Sequence, residues 1–453
     1  MLTDEEARRE RSLDTYWKAM ALAKAGRNTV ADVVVQPRSA EEVATTLAIA
    51  AEEGVPVVPR AGGSGSQGGA IPEPGGILLD LSALDQIEDL DEQALTVRAG
   101  AGVPGLRLEE WLNERGYMFP HYPASLHLAQ VGGYLAAKGS GVLSTKYGKI
   151  EDLVASMRVA LPSGELIETV PIPRHAVGPD LNQLFIGSEG TLGVITDATL
   201  ILRPQPEHRA FRAVGFDDLA TGVEAIRKAL QAGWRPAAVR LHDPEATRMN
   251  LARILDSDVS GVKAILVFDG PQALVELEER EMVKALVAAG GRDEGPELAQ
   301  GWWENRFKMY YPPFKPELPQ VWGTIDLAAT FSRILPAWEA VRELMLRDYS
   351  QYGLVFTGHF SHWYPWGTMV YGRFVLNEPP DDVDEAIRIY DEIWARSSEV
   401  ILREGAVIND HHGVGLKLAG DLQAQYGAGW GVLKTLKGAL DPAGVMNPGK
   451  LGL

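Results

Sequence analysis

The chain has 453 residues, 45% hydrophobic and 23% charged, with a formal net charge of −18 and no cysteine. That length predicts two or three domains with ample core, the charge excludes a broad basic face for nucleic acid or an anionic membrane, and the absent cysteine removes disulfides, thiolate catalysis and cysteine-ligated metal together. With an acidic amino terminus lacking an apolar signal core, and no run of eighteen apolar residues, a soluble cytoplasmic protein is expected.

In chain order, residues 1–30 read as one charged amphipathic helix with Leu13, Trp17, Met20 and Ala21 on one side. A strand at 33–35 precedes a helix in which Ser39 and Glu42 have capping-box spacing and Gly54 supplies the stop. The apolar run 55–58 leads into Pro59-Arg60-Ala61-Gly62-Gly63-Ser64-Gly65-Ser66-Gln67-Gly68-Gly69, where five of eleven residues lack a β-carbon. Such a backbone can approach a ligand closely, and its successive N–H groups form a nest suited to pyrophosphate. Taken alone, the run reads equally well as a flexible surface turn. Strands at 77–81 and 95–98 and a helix at 106–115, ended by Gly116, come next. A second glycine cluster follows at Gly132, Gly133, Gly139, Gly141 and Gly148, and a third spans 187–196.

After Pro204-Gln205-Pro206 the pattern changes. Strands at 213–216, 238–241, 264–268, 321–327, 353–357 and 367–376 alternate with helices at 219–232, 272–289, 332–349 and 381–403, which predicts an α/β unit on an antiparallel sheet.

The three glycine clusters, in this order and spacing, resemble the flavin-binding domain of the vanillyl-alcohol-oxidase/PCMH superfamily of FAD-linked oxidases. Residues 146–154, Gly178-Pro179-Asp180 and His411-His412-Gly413-Val414-Gly415 are most similar to alkylglycerone-phosphate synthase-like members, and next to the glycolate, D-lactate and D-2-hydroxyglutarate dehydrogenase-like ones. The resemblance implies an α+β fold: a two-part PCMH-type FAD-binding domain over 1–207, an α/β cap with an antiparallel sheet over 208–404, and a return of residues 405–453 to the first domain. It implies FAD held by Pro59, Arg60, Ala61, Gly62, Gly63, Ser64, Gly65 and Ser66. It carries over further flavin contacts at Pro123, Ser125, Gly132, Gly133, Ser140, Gly141, Glu189, Gly190 and Ile195. Covalently flavinylated relatives have a histidine where Ser64 stands, so noncovalent FAD is expected. A homodimer is also a superfamily expectation.

His411 and His412 place two imidazoles, titratable near neutral pH, before a Gly-Val-Gly turn at the family's active-site position, suited to taking a carbinol proton. Tyr371 occupies the region of an active-site tyrosine, with Tyr364 as competitor. Either tyrosine needs a cationic or imidazole neighbour to lower its pKa before it can act as a base. Arg306 falls where hydroxy-acid relatives hold a carboxylate, a role suited to a guanidinium fork; Arg240 and Arg333 are weaker candidates. Trp302, Trp303, Tyr310, Tyr311, Trp363 and Trp366 read as an apolar tunnel or as core. Metal-dependent relatives place a glutamate where His411 stands, so no metal is expected, with His359, His362 and His411 as an alternative zinc set.

The resemblance implies an FAD-dependent oxidoreductase that oxidises a secondary alcohol or 2-hydroxy acid by hydride transfer to flavin N5. Its alternatives are a synthase-like transferase using the flavin without net redox change, and a flavin-binding module without catalysis. A small-molecule substrate and no nucleic-acid partner complete the expectation.

Overall fold

The computed structural model describes the whole chain except Leu2, Pro74, Met309, Tyr310 and residues 312–314. Its first sheet is parallel, in the order Val33–Val35, Ile77–Asp80, Val57–Arg60. Ser39 caps the helix Ala40–Glu53 by accepting from Glu42 N, and Gly54 ends it at φ +64°. Its apolar stripe of Val43, Leu47 and Ala50 packs with Val57 and Leu79, so strand Val57–Arg60 is anchored from behind and delivers residues 61–69 at its carboxyl end.

A second sheet of five antiparallel strands runs Ile87–Asp91, Thr96–Gly100, Val194–Ile201, Val154–Ala160, Leu166–Glu168. The third has seven strands, all paired antiparallel: Arg292–Asp293, His208–Phe216, Val262–Gly270, Ala238–His242, Leu354–Ser361, Gly367–Leu376, Val321–Thr330. The helices Leu219–Gln231, Gln272–Ala288, Phe331–Tyr349 and Val383–Arg403 share its largest core. Alternation along a strand then dictates its other face. Val239 and Leu241 join the helix-packed core, so Arg240 and His242 project the opposite way.

The single amino-terminal helix expected from the sequence is two, Glu5–Arg11 and Trp17–Lys24. The interruption is held by polar groups that compete with helical bonding. Asp14 Oδ1 accepts from Tyr16 N at 2.9 Å, and Thr15 donates its N–H (2.9 Å) and hydroxyl (2.8 Å) to Gly65 O. The break clamps the glycine loop.

Residues after 405 also reach that region. Val57 N donates to Val445 O, and Asn447 N to Val57 O, both at 2.8 Å. Asn447 Nδ2 donates to Gly69 O (3.0 Å) and Glu189 O (2.6 Å), while Lys450 Nζ donates to Ile71 O at 2.6 Å. Among the described residues, no helix is long and apolar enough to cross a membrane.

Candidate active site

A cavity of ≈450 Å³ lies between the glycine loops and the open face of the seven-stranded sheet. The loop residues Pro59 to Ser66 all line it, as do Pro123, Ser125, Gly132, Gly133, Ser140, Glu189, Gly190 and Ile195. Gly141 stands behind the wall instead: a β-carbon there would meet Tyr122 N at 2.5 Å, so its glycine serves packing of the 121–122 backbone. At Gly62 a β-carbon would overlap the Leu128 carbonyl.

Several buried polar atoms on this side have no protein partner among the described residues: both amide atoms of Gln67, both ring nitrogens of His121, Gln130 Oε1 and Ser140 Oγ. All four side chains line the cavity. Orphaned buried polar atoms are costly, and a flavin nucleotide, with its hydrogen-bonding ring edge, hydroxyls and phosphates, would satisfy such a set. Burial pushes the His121 pKa down to about 3, so it presents a neutral ring. The residues therefore fit FAD. Glu189, read from the sequence as a flavin contact, also has a bracing role. At φ +50° its carboxylate accepts from Val414 N and, at 2.8 Å, from Gly415 N. Burial raises its pKa to about 7.

Opposite these loops, the register aligns His242, His359, Tyr371 and Asp326 as consecutive partners across four adjacent strands. Directly opposed residues share a face, so the four side chains form one row. His359 is stacked between His242 (5.4 Å) and Tyr371 (4.9 Å), and its Nε2 lies 3.0 Å from Arg240 Nη1. At the end of the row, Asp326 is 2% exposed and accepts from the backbone N–H groups of Asp410 and His411 at 3.2 and 3.3 Å. Its carboxylate lies 2.9 Å from His412 Nδ1 and 3.7 Å from His411 Nδ1. His411 Nδ1 is also 3.1 Å from Asp410 Oδ2, and Lys149 Nζ donates to Asp410 O at 2.5 Å.

Burial pulls the His412 pKa below its usual 6.5, against the upward pull of Asp326. Asp326 itself stays ionised: burial raises its pKa, but His412 and His411 outweigh that. For Tyr371, burial and then Asp326 raise the pKa. No neighbour lowers it enough for a base, so the phenol is a hydrogen-bond donor.

His411, His412, Tyr371 and Arg306 all line the cavity, together with Arg240 and Arg373. The Arg306 guanidinium packs 4.0 Å from the Trp303 ring centroid and donates to Trp303 O at 2.5 Å, and burial lowers its pKa to about 10. Arg333 is on the exposed side of Phe331–Tyr349 and is excluded from the site. Tyr364 does not reach the cavity.

The aromatic tunnel is not formed as expected. Trp302 lines the cavity, Trp303 lines a neighbouring one, Trp363 is fully buried core, and Trp366 and Tyr311 are 61% and 45% exposed. Tyr310 lies outside the described residues.

The three-imidazole metal set is not assembled either. Ligand-type atoms cluster within 4.8 Å in Asp326, His411 and His412, and in His362, Asp410 and His411, without His359. His359 is held by a guanidinium, and Lys149 Nζ stands 3.6 Å from Asp410 Oδ1. These cations oppose a further positive charge.

Asp326, His121 and Arg373 were not singled out by the sequence. The first two carry no local motif, and only the strand register reveals Asp326.

A parallel glycine-loop sheet, a second antiparallel sheet and a cap sheet face a shared cavity whose orphaned polar atoms fit a flavin nucleotide, the arrangement of a flavoprotein. The FAD binding domain family matches residues 31–170, and the C-terminal domain of FAD linked oxidases matches 205–451; the chain belongs to the FAD-linked oxidase family, with FAD as its noncovalent cofactor. It is 27% identical over 451 residues to alkyldihydroxyacetonephosphate synthase of Trypanosoma brucei brucei, covering 93% of this chain and 73% of that protein. It is 28% identical over 440 residues to glycolate oxidase subunit GlcD of Bacillus subtilis, covering 93% and 88%. A solved alkyldihydroxyacetonephosphate synthase shares the fold with a TM-score of 0.83 at 23% identity, over 99% of this chain and 83% of the other.

Proposed function

We propose that the protein oxidises a small anionic substrate bearing a secondary hydroxyl, of the 2-hydroxy-acid class. The observation that carries this reading is the Asp326–His412 pair beside a cavity that His412, Arg240 and Arg306 all line. When bound, FAD supplies the two-electron acceptor. The chain's residues do the rest. With Nδ1 2.9 Å from the Asp326 carboxylate, His412 has Nε2 left to take the hydroxyl proton, and the nearby negative charge stabilises the resulting imidazolium. Tyr371 donates a hydrogen bond to the substrate oxygen. The guanidinia of Arg240, Arg306 and Arg373 hold the anionic group and so fix which face of the carbinol meets the flavin side.

A second reading is favoured by one specific feature. Three cap arginines around one cavity exceed what a single carboxylate requires, and suit a phosphate ester. Together with the likeness to alkyldihydroxyacetonephosphate synthase, they support acyl-for-alkoxy exchange without net redox change. Anaerobic absorbance spectra separate the two. Bleaching by a 2-hydroxy acid, reversed by oxygen or a dye, is the expected result. A spectral change confined to acyl or alkyl dihydroxyacetone phosphates, without two-electron turnover, would replace the first reading by the second.

A further inference from the structure

On the cap side, the strand Ala238–His242 runs directly into an unusual helical turn. Asp243 caps it, accepting from Ala246 N at 2.6 Å, while its other oxygen accepts from Gly358 N at 2.9 Å on the neighbouring strand. Pro244–Ala246 and Arg253–Leu255 are α-helical, but Thr247–Ala252 between them form a π-helix. Such i→i+5 turns are rare and concentrate at functional sites. Asn250 and Leu251 on this turn, and Ile254 just after it, line the cavity. Two buried polar atoms of this connection have no protein partner among the described residues, Asn250 Oδ1 and His242 Nδ1, and both side chains line the cavity. His242 is 2% exposed; burial, reinforced by Arg240, lowers its pKa to about 3, so its ring is neutral. Leaving such atoms unpaired is costly, and the chemistry of the missing partner is restricted. Asn250 Oδ1 only accepts, so an ionised carboxylate or phosphate oxygen cannot serve it. An ammonium would donate, but Arg240 and Arg306 line the same cavity and oppose a further cation. A neutral hydroxyl donates to Asn250 and, because it also accepts, satisfies His242 Nδ1 in either tautomer.

We propose that Asn250 and His242 form a specificity subsite for hydroxyl groups beyond the reacting carbinol, which makes the substrate a polyhydroxylated acid of the sugar-acid class. This rests on the reading of an anionic substrate oxidised at His412. In that arrangement the carboxylate goes to the arginines, the reacting hydroxyl to His412 and further hydroxyls to the strand end and the π-turn. The sheet supports the length this requires. His242 stands three strands from Asp326 in the aligned row, about 14 Å at the backbone for strands about 4.8 Å apart. A substrate reacting beside Asp326 must therefore be several carbons long to meet His242. The competing role of this wall is an apolar tail pocket, since Leu251, Ile254 and Trp302 share it.

The test is calorimetric titration of FAD-loaded protein with 2-deoxygluconate, 2-deoxygalactonate and hexanoate. All three are six-carbon acids without a 2-hydroxyl, so binding is measured without oxidation at that carbon. The subsite predicts that at least one of the hydroxylated acids binds about tenfold or more tighter than hexanoate. In Asn250→Leu that preference should fall to about threefold or less. Asn250→Asp keeps an acceptor but adds a like charge, so it should weaken all three acids and preserve the preference. His242→Phe, which retains a ring to stack on His359, should lower the preference independently, and it decides if Asn250→Leu fails to fold. Equal or tighter binding of hexanoate to the wild type overturns the subsite in favour of the tail pocket. Absence of binding by all three acids, or a preference unchanged in Asn250→Leu and His242→Phe, overturns it as well. Failure of every 2-hydroxy acid to bleach the flavin, with the hydroxyl preference intact, would instead be directed at the oxidoreductase reading and leave the subsite standing.

Discussion

Asp326 Oδ1 lies 2.9 Å from His412 Nδ1, while its second oxygen receives the backbone N–H groups of Asp410 and His411. One buried carboxylate therefore both holds the 410–412 turn and opposes the loss of His412 basicity that burial imposes. Asp326→Asn keeps the size and one acceptor but removes the charge. Turnover is expected to fall by about 10²–10⁴-fold with flavin content unchanged. The base must be neutral to act, so activity falls as pH drops through the His412 pKa, which lies below 6.5. Without the Asp326 charge that pKa drops further. The acid limb of the kcat/KM profile should move to lower pH, and an upward move would remove His412 from the base role.

Arg240 presents a second imbalance. Burial lowers its pKa to about 10, its guanidinium meets His359 at 3.0 Å, and among the described residues no carboxylate stands at ion-pair distance. The anionic substrate proposed above would supply the missing counter-charge. Arg240→Lys, which loses the planar fork, should raise KM for the anionic substrate by about 10–100-fold with a smaller effect on kcat. Arg333→Lys, on the outer helix face, serves as the control and should leave both unchanged. Equal KM effects on a neutral alcohol substrate would sever Arg240 from the anion.

Gly62 tests the flavin loop. A β-carbon at this position would overlap the Leu128 carbonyl, a backbone atom without freedom to yield. Gly62→Ala should displace the loop and strip FAD from the protein, read as a loss of the flavin's visible absorbance relative to protein. Wild-type flavin content in this variant would mean that the loop does not approach the cofactor as closely as its glycines imply.

How far the site could be read in advance depended on how local each signal was. Gly62, Gly132 and Gly190 are legible because close backbone approach demands glycine at each, and His411-His412 because the pair adjoins a turn in sequence. Asp326 is different. On an alternating strand it resembles any half-buried polar residue, and it acquires meaning only opposite Tyr371, in a register no short window contains. His121 likewise looks like a lone aromatic until both ring nitrogens are seen without partners. The broken amino-terminal helix was missed because its periodicity survives the interruption, while the cause, Thr15 bonding to Gly65, is 50 residues away.

Asp14, in that interruption, should make stability depend on pH in an unusual direction. It lines the cavity, is 7% exposed, and burial raises its pKa from 3.8 to about 6, although backbone hydrogen bonds and Arg60 pull it down. A carboxyl with a raised native pKa binds its proton more tightly when folded. Its stabilising contribution is complete below pH 3.8 and is lost as pH rises through about 6. Two units correspond to roughly 2–3 kcal/mol. A side-chain amide cannot ionise, so in Asp14→Asn this loss disappears. Glu189, also raised by burial, titrates in an overlapping range; the Asp14 charge adds to that rise, so its removal in the variant moves the difference the same way. Denaturant unfolding of the FAD-saturated proteins should therefore show the variant gaining on the wild type by roughly 2–3 kcal/mol as pH rises from about 4 to about 7. Parallel stability curves would mean that Asp14 is ionised throughout, with Arg60 and Lys450 offsetting its burial.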